Sequence, residues 1–200
     1  MLGDNAGLSE QFDARWLYTV RVIIVGAVLA LFWRSYLEFQ RPYRVQAAGL
    51  LISIALGILV FLLWIQLDVG WLGFGTSKGF VPLAADGSLL WIHVIPRWIG
   101  AAILVPVIEE LFWRSFFMRW LEKPQFLTVD PGKVKFKALL ISSVVFALEH
   151  QLWFAGLLAG LAYGWLYSRT ANLWYPIIAH ATTNGILGVW VVQTGNWQFW

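Results

Sequence analysis

Three sets of polar residues interrupt an otherwise apolar chain: Glu109, Glu110 and Arg114; His150; and His180 with Asn184. On a helix Glu110 and Arg114 stand one turn apart and lie one above the other, whereas Glu109 is rotated about 100° from its neighbour. One carboxylate is therefore neutralised while the other faces elsewhere. A carboxylate in a wet cavity can deprotonate water, a neighbouring histidine can orient that water or carry its proton, and a His–Asn pair can donate hydrogen bonds to an oxyanion. This set suffices to hydrolyse a peptide bond without a covalent intermediate. Each piece alone has an ordinary structural reading, as an ion-paired helix end or a histidine that joins two helices. Two histidines beside two carboxylates, one of them unpaired, favour chemistry.

Other mechanisms lack their residues. The chain has no cysteine, which excludes disulfides, thiolate metal sites and cysteine nucleophiles, and it contains neither GxSxG nor HExxH. A Glu–His–His set can hold a divalent metal such as zinc with one position open, and the ligands would then be Glu109, His150 and His180. The metal-free reading is favoured, because the residue one turn from His180 is Asn184, an oxyanion donor and a poor zinc ligand.

The elements that must position these residues are membrane helices. Of the 200 residues, 60% are hydrophobic and 12% charged, and the mean hydropathy is +0.69. A soluble domain carries about a quarter charged residues, so a water-soluble globule is excluded. The formal charge of +3 is too small to argue for nucleic acid and is accounted for by basic loops on one membrane face. Val45–Leu67 has no charge, and its length of about 34 Å as a helix crosses a ~30 Å hydrocarbon core. Trp16–Trp33 is a second span, broken only by Arg21. Leu89–Leu121 is long for one crossing and contains Pro96 and Pro106. The run from Ala138 to Ser168 divides into two helices near His150–Ala155, and Pro176 is expected to open the last span, within an uncharged stretch from Thr170 to Trp200.

The expected fold is all-α: a polytopic transmembrane helix bundle of six spans, or eight if the third and last stretches are each broken. A polar tail over residues 1–15 precedes a single membrane-embedded helical domain over 16–200, with the catalytic helices within 98–195. The tail has no basic start or short apolar run, so it is read as retained, not as a cleaved signal. Six alternating spans place Arg34, Arg41 and Arg44, then Arg119, Lys123, Lys133, Lys135 and Lys137, then Arg169 on one face, which the positive-inside rule makes cytoplasmic. Both termini are then non-cytoplasmic. Trp16, Trp33, Trp71, Trp91 and Trp120 suit an interfacial belt, and the lysines at 133, 135 and 137 an interface with anionic lipid. The Gly-rich stretch Asp68–Ser88 reads as an outer loop, and His93 as an interfacial histidine. Glu149 either tunes His150 or faces water.

Packing has its own signature. Gly156, Gly160 and Gly164 form GxxxGxxxG, which lets neighbouring helix backbones approach closely. Pro106, three residues before Glu109, can kink its helix or leave a carbonyl without its helical donor.

Glu109-Glu110-Leu-Phe-Trp-Arg114 resembles the EExxxR motif of the CAAX-protease and bacteriocin-processing (CPBP) membrane protease family, Phe146-Ala-Leu-Glu-His150 its FxxxH motif, and His180-Ala-Thr-Thr-Asn184 its HxxxN motif. Each pattern is weak alone; the ordered trio on separate apolar helices is specific. The resemblance implies a glutamate-type intramembrane endopeptidase in which Glu109 activates water with His150, His180 and Asn184 stabilise the oxyanion, and Glu110, Arg114 and Phe146 support the site. It also leaves metal dependence open. The residues around Glu110–Phe116 are most similar to bacterial members that process C-terminal sorting signals, which places the protein in a bacterial plasma membrane with a membrane-associated peptide segment and lipids as partners. Residues 1–88 lie outside the resemblance, and neither substrate nor oligomeric state is legible. Two other classes compete: a non-catalytic immunity or scaffold protein of the same fold, and a proton-coupled transporter, which lacks the internal symmetry expected of one.

Overall fold

Long apolar runs with few glycines or prolines inside them leave the chain no lower-energy choice in lipid than helices, whose backbone polar groups satisfy one another. The computed structural model describes residues 13, 15–40, 44–75 and 79–200. Most of the tail expected over 1–15, together with Arg41 and Lys78, lies outside the described residues. Six principal helices follow in order: α1 (Trp16–Leu31), α2 (Ala47–Gln66), α3 (Trp91–Trp120), α4 (Phe136–Leu148), α5 (Trp153–Thr170) and α6 (Trp174–Thr194). A single isolated bridge, Leu83 to Leu89, is the one β pairing among the described residues. The all-α expectation is met.

By length and composition α2 and α3 can cross a membrane, and α1 and α4 are apolar but shorter. Large apolar side chains face outward along these helices, including Ile23, Leu31, Leu51 and Ile92, a surface suited to lipid and costly in water. All five tryptophans expected in the belt are exposed. The stretch that suggested eight spans is not broken: α3 runs continuously for 30 residues, and α6 is also unbroken. Pro96 and Pro106 are absorbed by a change of winding. The helix widens to π geometry at Gly100–Leu104 and again at Leu111–Phe117, which accommodates residues that cannot donate in the α pattern. Pro176 falls in the first turn of α6, two residues after its start at Trp174, where its missing N–H has little cost.

The helices alternate in direction. At one end, Arg15 at the start of α1 donates to Leu83 O (2.9 Å), Phe74 N to Gln151 O (2.8 Å) and Phe80 N to Trp200 O (2.9 Å). These bonds gather the start of α1, the α2–α3 and α4–α5 connections and the chain end. Arg15 also pairs with Asp13 and draws that carboxyl down to about 2. At the other end Gln46 N donates to Tyr175 Oη (3.0 Å) and Trp33 lies against Trp174.

Helices α4 and α5 part at Glu149–Leu152, within the region expected. The glycine stripe works as read: a Cβ on Gly156 would meet Ala147 Cα at 3.2 Å, and one on Gly160 would meet Ser143 Cα at 3.0 Å, so α5 lies directly on α4. Helix α2 approaches α6 still more closely at Gly57, where a Cβ would fall 2.3 Å from Ala179 O.

Two polar residues near the ends of α3 are buried. Arg119, counted among the cations of the cytoplasmic connection, is 1% exposed; it pairs with Glu38, which sits on the short helical turn Leu37–Gln40. Ser115 and Tyr167 also donate to Glu38 Oε1, at 3.0 and 2.8 Å. An isolated buried guanidinium is costly, and Glu38 supplies the counter-charge that makes its burial tolerable. His93, in the first turn of α3, is buried within the protein: its ring packs edge-on to Trp16, and Nε2 lies 3.5 Å from Asp13.

Candidate active site

The six-residue α-helical stretch Val105–Glu110, set between the two π windings of α3, presents the paired glutamates. Glu110 is fully buried. Its Oε2 lies 3.0 Å from Arg114 Nε, the i, i+4 pair expected, and its Oε1 lies 3.0 Å from His180 Nδ1 on α6. The second contact was not foreseen, because no sequence spacing shows that α3 and α6 present these groups to each other. Arg114 is 2% exposed. Its guanidinium lies over the Phe146 ring at 4.6 Å, and Nη2 donates to Gly160 O at 3.4 Å. The motif residue Phe146 therefore supports the arginine as well as His150, whose ring lies 4.4 Å from its own.

Glu109 faces away from that pair. Its Oε2 is buried without a hydrogen-bond partner, and it lines a cavity of about 340 Å³ together with His150, His180, Asn184, Ala101 and Tyr163. All four residues expected to carry the chemistry thus share one space. His150 sits in the turn after α4, its Nδ1 2.7 Å from Phe146 O. Since a carbonyl only accepts, Nδ1 carries the proton and a neutral ring keeps the Nε2 lone pair available. His180 is fixed the same way by Glu110, leaving Nε2 as its unclaimed nitrogen.

Asn184 is held by the backbone irregularity. Val105 N donates to Gly100 O in the π pattern; the next bond in that register would run from residue 106 to Ala101 O, but residue 106 is proline and has no N–H. Asn184 Nδ2 donates to Ala101 O instead, at 2.9 Å. One amide N–H is spent there, and the second remains for a ligand.

Tyr163 and Thr183 escaped the sequence reading. Tyr163 stacks on the His180 ring at 5.0 Å with planes 20° apart, and its hydroxyl lies 2.7 Å from Thr183 Oγ1. Thr183 Oγ1 donates to Gly57 O at 2.8 Å, so Tyr163 must be the donor to Thr183. Thr183 stands between His180 and Asn184 in the third motif, and that position was the available signal; Tyr163 had none beyond being a polar residue in an apolar helix.

A second cavity of about 510 Å³ adjoins the first, and both are lined by Trp64, Arg97, His150, Phe199 and Trp200. The outer one adds Asp68, Glu149 and Gln151, so Glu149 faces this vestibule. As for a metal, no three His, Asp or Glu side chains among the described residues are close enough to ligate one ion. Glu109, His150 and His180 line one cavity without converging as a ligand set.

Residues 90–186 match the family model for type II CAAX prenyl endopeptidase Rce1-like proteins. This stretch of the chain is Rce1-like. It runs from the start of α3 to Ile186 and includes all three motifs, in agreement with the resemblance read from them. The chain is also 35% identical over 100 residues to the putative membrane peptidase YdiL of Bacillus subtilis (strain 168), an alignment covering 46% of this chain and 36% of that protein. The match thus spans about a third of the relative's length. No solved structure matches. The Rce1-like segment takes in α3 to the middle of α6, while the turn Leu37–Gln40 and α2, which brace it through Glu38 and Gly57, lie outside it, as does α1.

Proposed function

We propose that the protein is an intramembrane endopeptidase that hydrolyses a peptide bond in a membrane-associated protein, such as a C-terminal sorting or prenylated segment, by glutamate-activated water. The observation that carries this reading is the single cavity shared by Glu109, His150, His180 and Asn184. Glu109, with one buried oxygen unpartnered, takes a proton from a water that the His150 Nε2 lone pair orients. The hydroxide attacks the scissile carbonyl carbon. The second Asn184 N–H donates to the resulting oxyanion, and Nε2 of His180, turned to the cavity by the Glu110 contact at Nδ1, donates to it in the doubly protonated ring. Glu109 then returns its proton to the leaving nitrogen as the C–N bond breaks. Glu110 and Arg114 do not touch substrate; they position His180. Every step uses the chain's own residues.

The test is a comparison of membrane proteomes from cells expressing the protein or Glu109→Gln, followed by cleavage of the accumulating precursor with purified protein. An uncut precursor in the variant and its cleavage in vitro are expected. Intact cleavage by Glu109→Gln and by His150→Ala overturns the mechanism. Elemental analysis of active protein is expected to find no stoichiometric divalent metal.

A further inference from the structure

The two adjoining cavities lie at one end of the bundle, and that end is chemically unlike the other. The outer vestibule is framed by the α2–α3 connection at Asp68 and Gly75, the α4–α5 connection at Glu149 and Gln151, and Gln198 near the chain end. Among the described residues the exposed charges of these connections are acidic, Asp68, Asp86 and Glu149, and by sequence a single lysine, Lys78, also falls in the α2–α3 connection. Of the described cations toward this end, Arg15 is paired with Asp13, Arg21 stands on α1, and Arg97 is enclosed at the neck between the cavities. Arg34, Arg44, Lys123, Lys133, Lys135, Lys137 and Arg169 are all exposed at the opposite end. Such an excess of Lys and Arg in short connections marks the cytoplasmic side.

The basic end is also closed. Between it and the cavity lie Met118, Tyr167 and Leu173, each with no exposed surface, and the Arg119–Glu38 pair with Ser115 and Tyr167 bonded to it. The vestibule end is open, with exposed Asp68, Glu149 and Gln198 in its lining. At its neck Arg97 lies 4.6 Å from the Tyr18 ring and 4.5 Å from the Phe80 ring, with its Nε buried and lacking an acceptor. A peptide passing this point meets a fixed donor suited to its carbonyls or carboxylates.

We propose that the catalytic cavity is entered from the non-cytoplasmic face, and that its substrates are peptide segments of exported or membrane-anchored proteins presented on that face. The assignment of substrate rests on the protease reading above; the direction of entry does not.

The native chain has no cysteine, so single cysteines can report access without a background. Asp68→Cys and Gln198→Cys mark the vestibule, Ala101→Cys the inner cavity and Lys135→Cys the basic end. In intact cells a small membrane-impermeant thiosulfonate is expected to modify the first three, and Lys135→Cys only after permeabilisation or in inverted vesicles. Asp68 and Gln198 are exposed, so their substitution leaves the fold intact even if Ala101→Cys disturbs it. Modification of Lys135→Cys in intact cells, or of the vestibule cysteines only from the cytoplasmic side, overturns the orientation. Modification of Ala101→Cys only from the basic end, or from neither side while Asp68→Cys reacts, overturns entry through the vestibule. These readouts need no cleavage, so they fail or succeed separately from the Glu109→Gln comparison.

Discussion

His180 Nδ1 lies 3.0 Å from Glu110 Oε1, and the other oxygen of the same carboxylate lies 3.0 Å from Arg114 Nε. Adjacent glutamates therefore do different work. Glu110 is a buried counter-charge that joins α3 to α6, while Glu109 faces the cavity with an oxygen unpartnered.

The two glutamates should separate in a stability assay. Glu110→Ala leaves Arg114 buried without its counter-charge, which costs about 3–5 kcal/mol, and should lower the thermal midpoint in detergent markedly. Glu109→Gln removes no pairing and should leave the midpoint near that of the parent, while cleavage falls by about 10²–10⁴-fold. Equal losses of stability in both variants would contradict this division.

Pro106 should act on activity through Asn184. Restoring an N–H with Pro106→Ala gives the α3 backbone a donor of its own for the carbonyl that Asn184 now serves. Asn184 is then released from its anchor, and kcat should fall although the helix gains propensity and the thermal midpoint holds or rises. Asn184→Ala should lower kcat by about 10²–10³-fold if its second N–H serves the oxyanion. A Pro106→Ala enzyme with unchanged kcat would show that the carbonyl contact does not position the amide.

The all-helical class, the split near His150, the glycine stripe and the Glu110–Arg114 pair were legible in the sequence because each follows from local pattern. The partner of His180 was not, since α3 and α6 meet through tertiary packing that no spacing encodes. Arg119 misled for a related reason. A cation near a helix end reads as part of the basic connection that follows it, and only the fold shows that Glu38, far earlier in the chain, reaches it. The eight-span alternative rested on prolines as breaks, whereas α3 absorbs Pro106 by π winding and turns the freed carbonyl into the anchor of Asn184.

The Glu38–Arg119 pair predicts a characteristic non-additivity. Glu38→Leu or Arg119→Leu alone strands a buried charge and should destabilise by about 3–5 kcal/mol, whereas replacing both by apolar residues should recover most of that loss. Thermal midpoints of the four proteins in one detergent form the cycle. Additive single and double losses would mean that the pair does not act as a unit.

Glycine substitutions probe how α2, outside the Rce1-like match, reaches the site. A Cβ at Gly57 would fall 2.3 Å from Ala179 O and 2.7 Å from Thr182 Cβ, and neither neighbour can yield without α2 moving away from α6. That movement would break the Thr183 bond to Gly57 O, and with it the chain of contacts through Tyr163 that holds the His180 ring. Gly57→Ala should therefore lower both the thermal midpoint and kcat. At Gly185, on the same helix as His180, an added methyl meets only Ala102 Cβ at 3.8 Å, an ordinary contact. Gly185→Ala should be neutral, or stabilising by up to about 1 kcal/mol through helix propensity, with kcat unchanged. If Gly57→Ala lost stability but kept full kcat, α2 would be bracing the bundle without positioning His180.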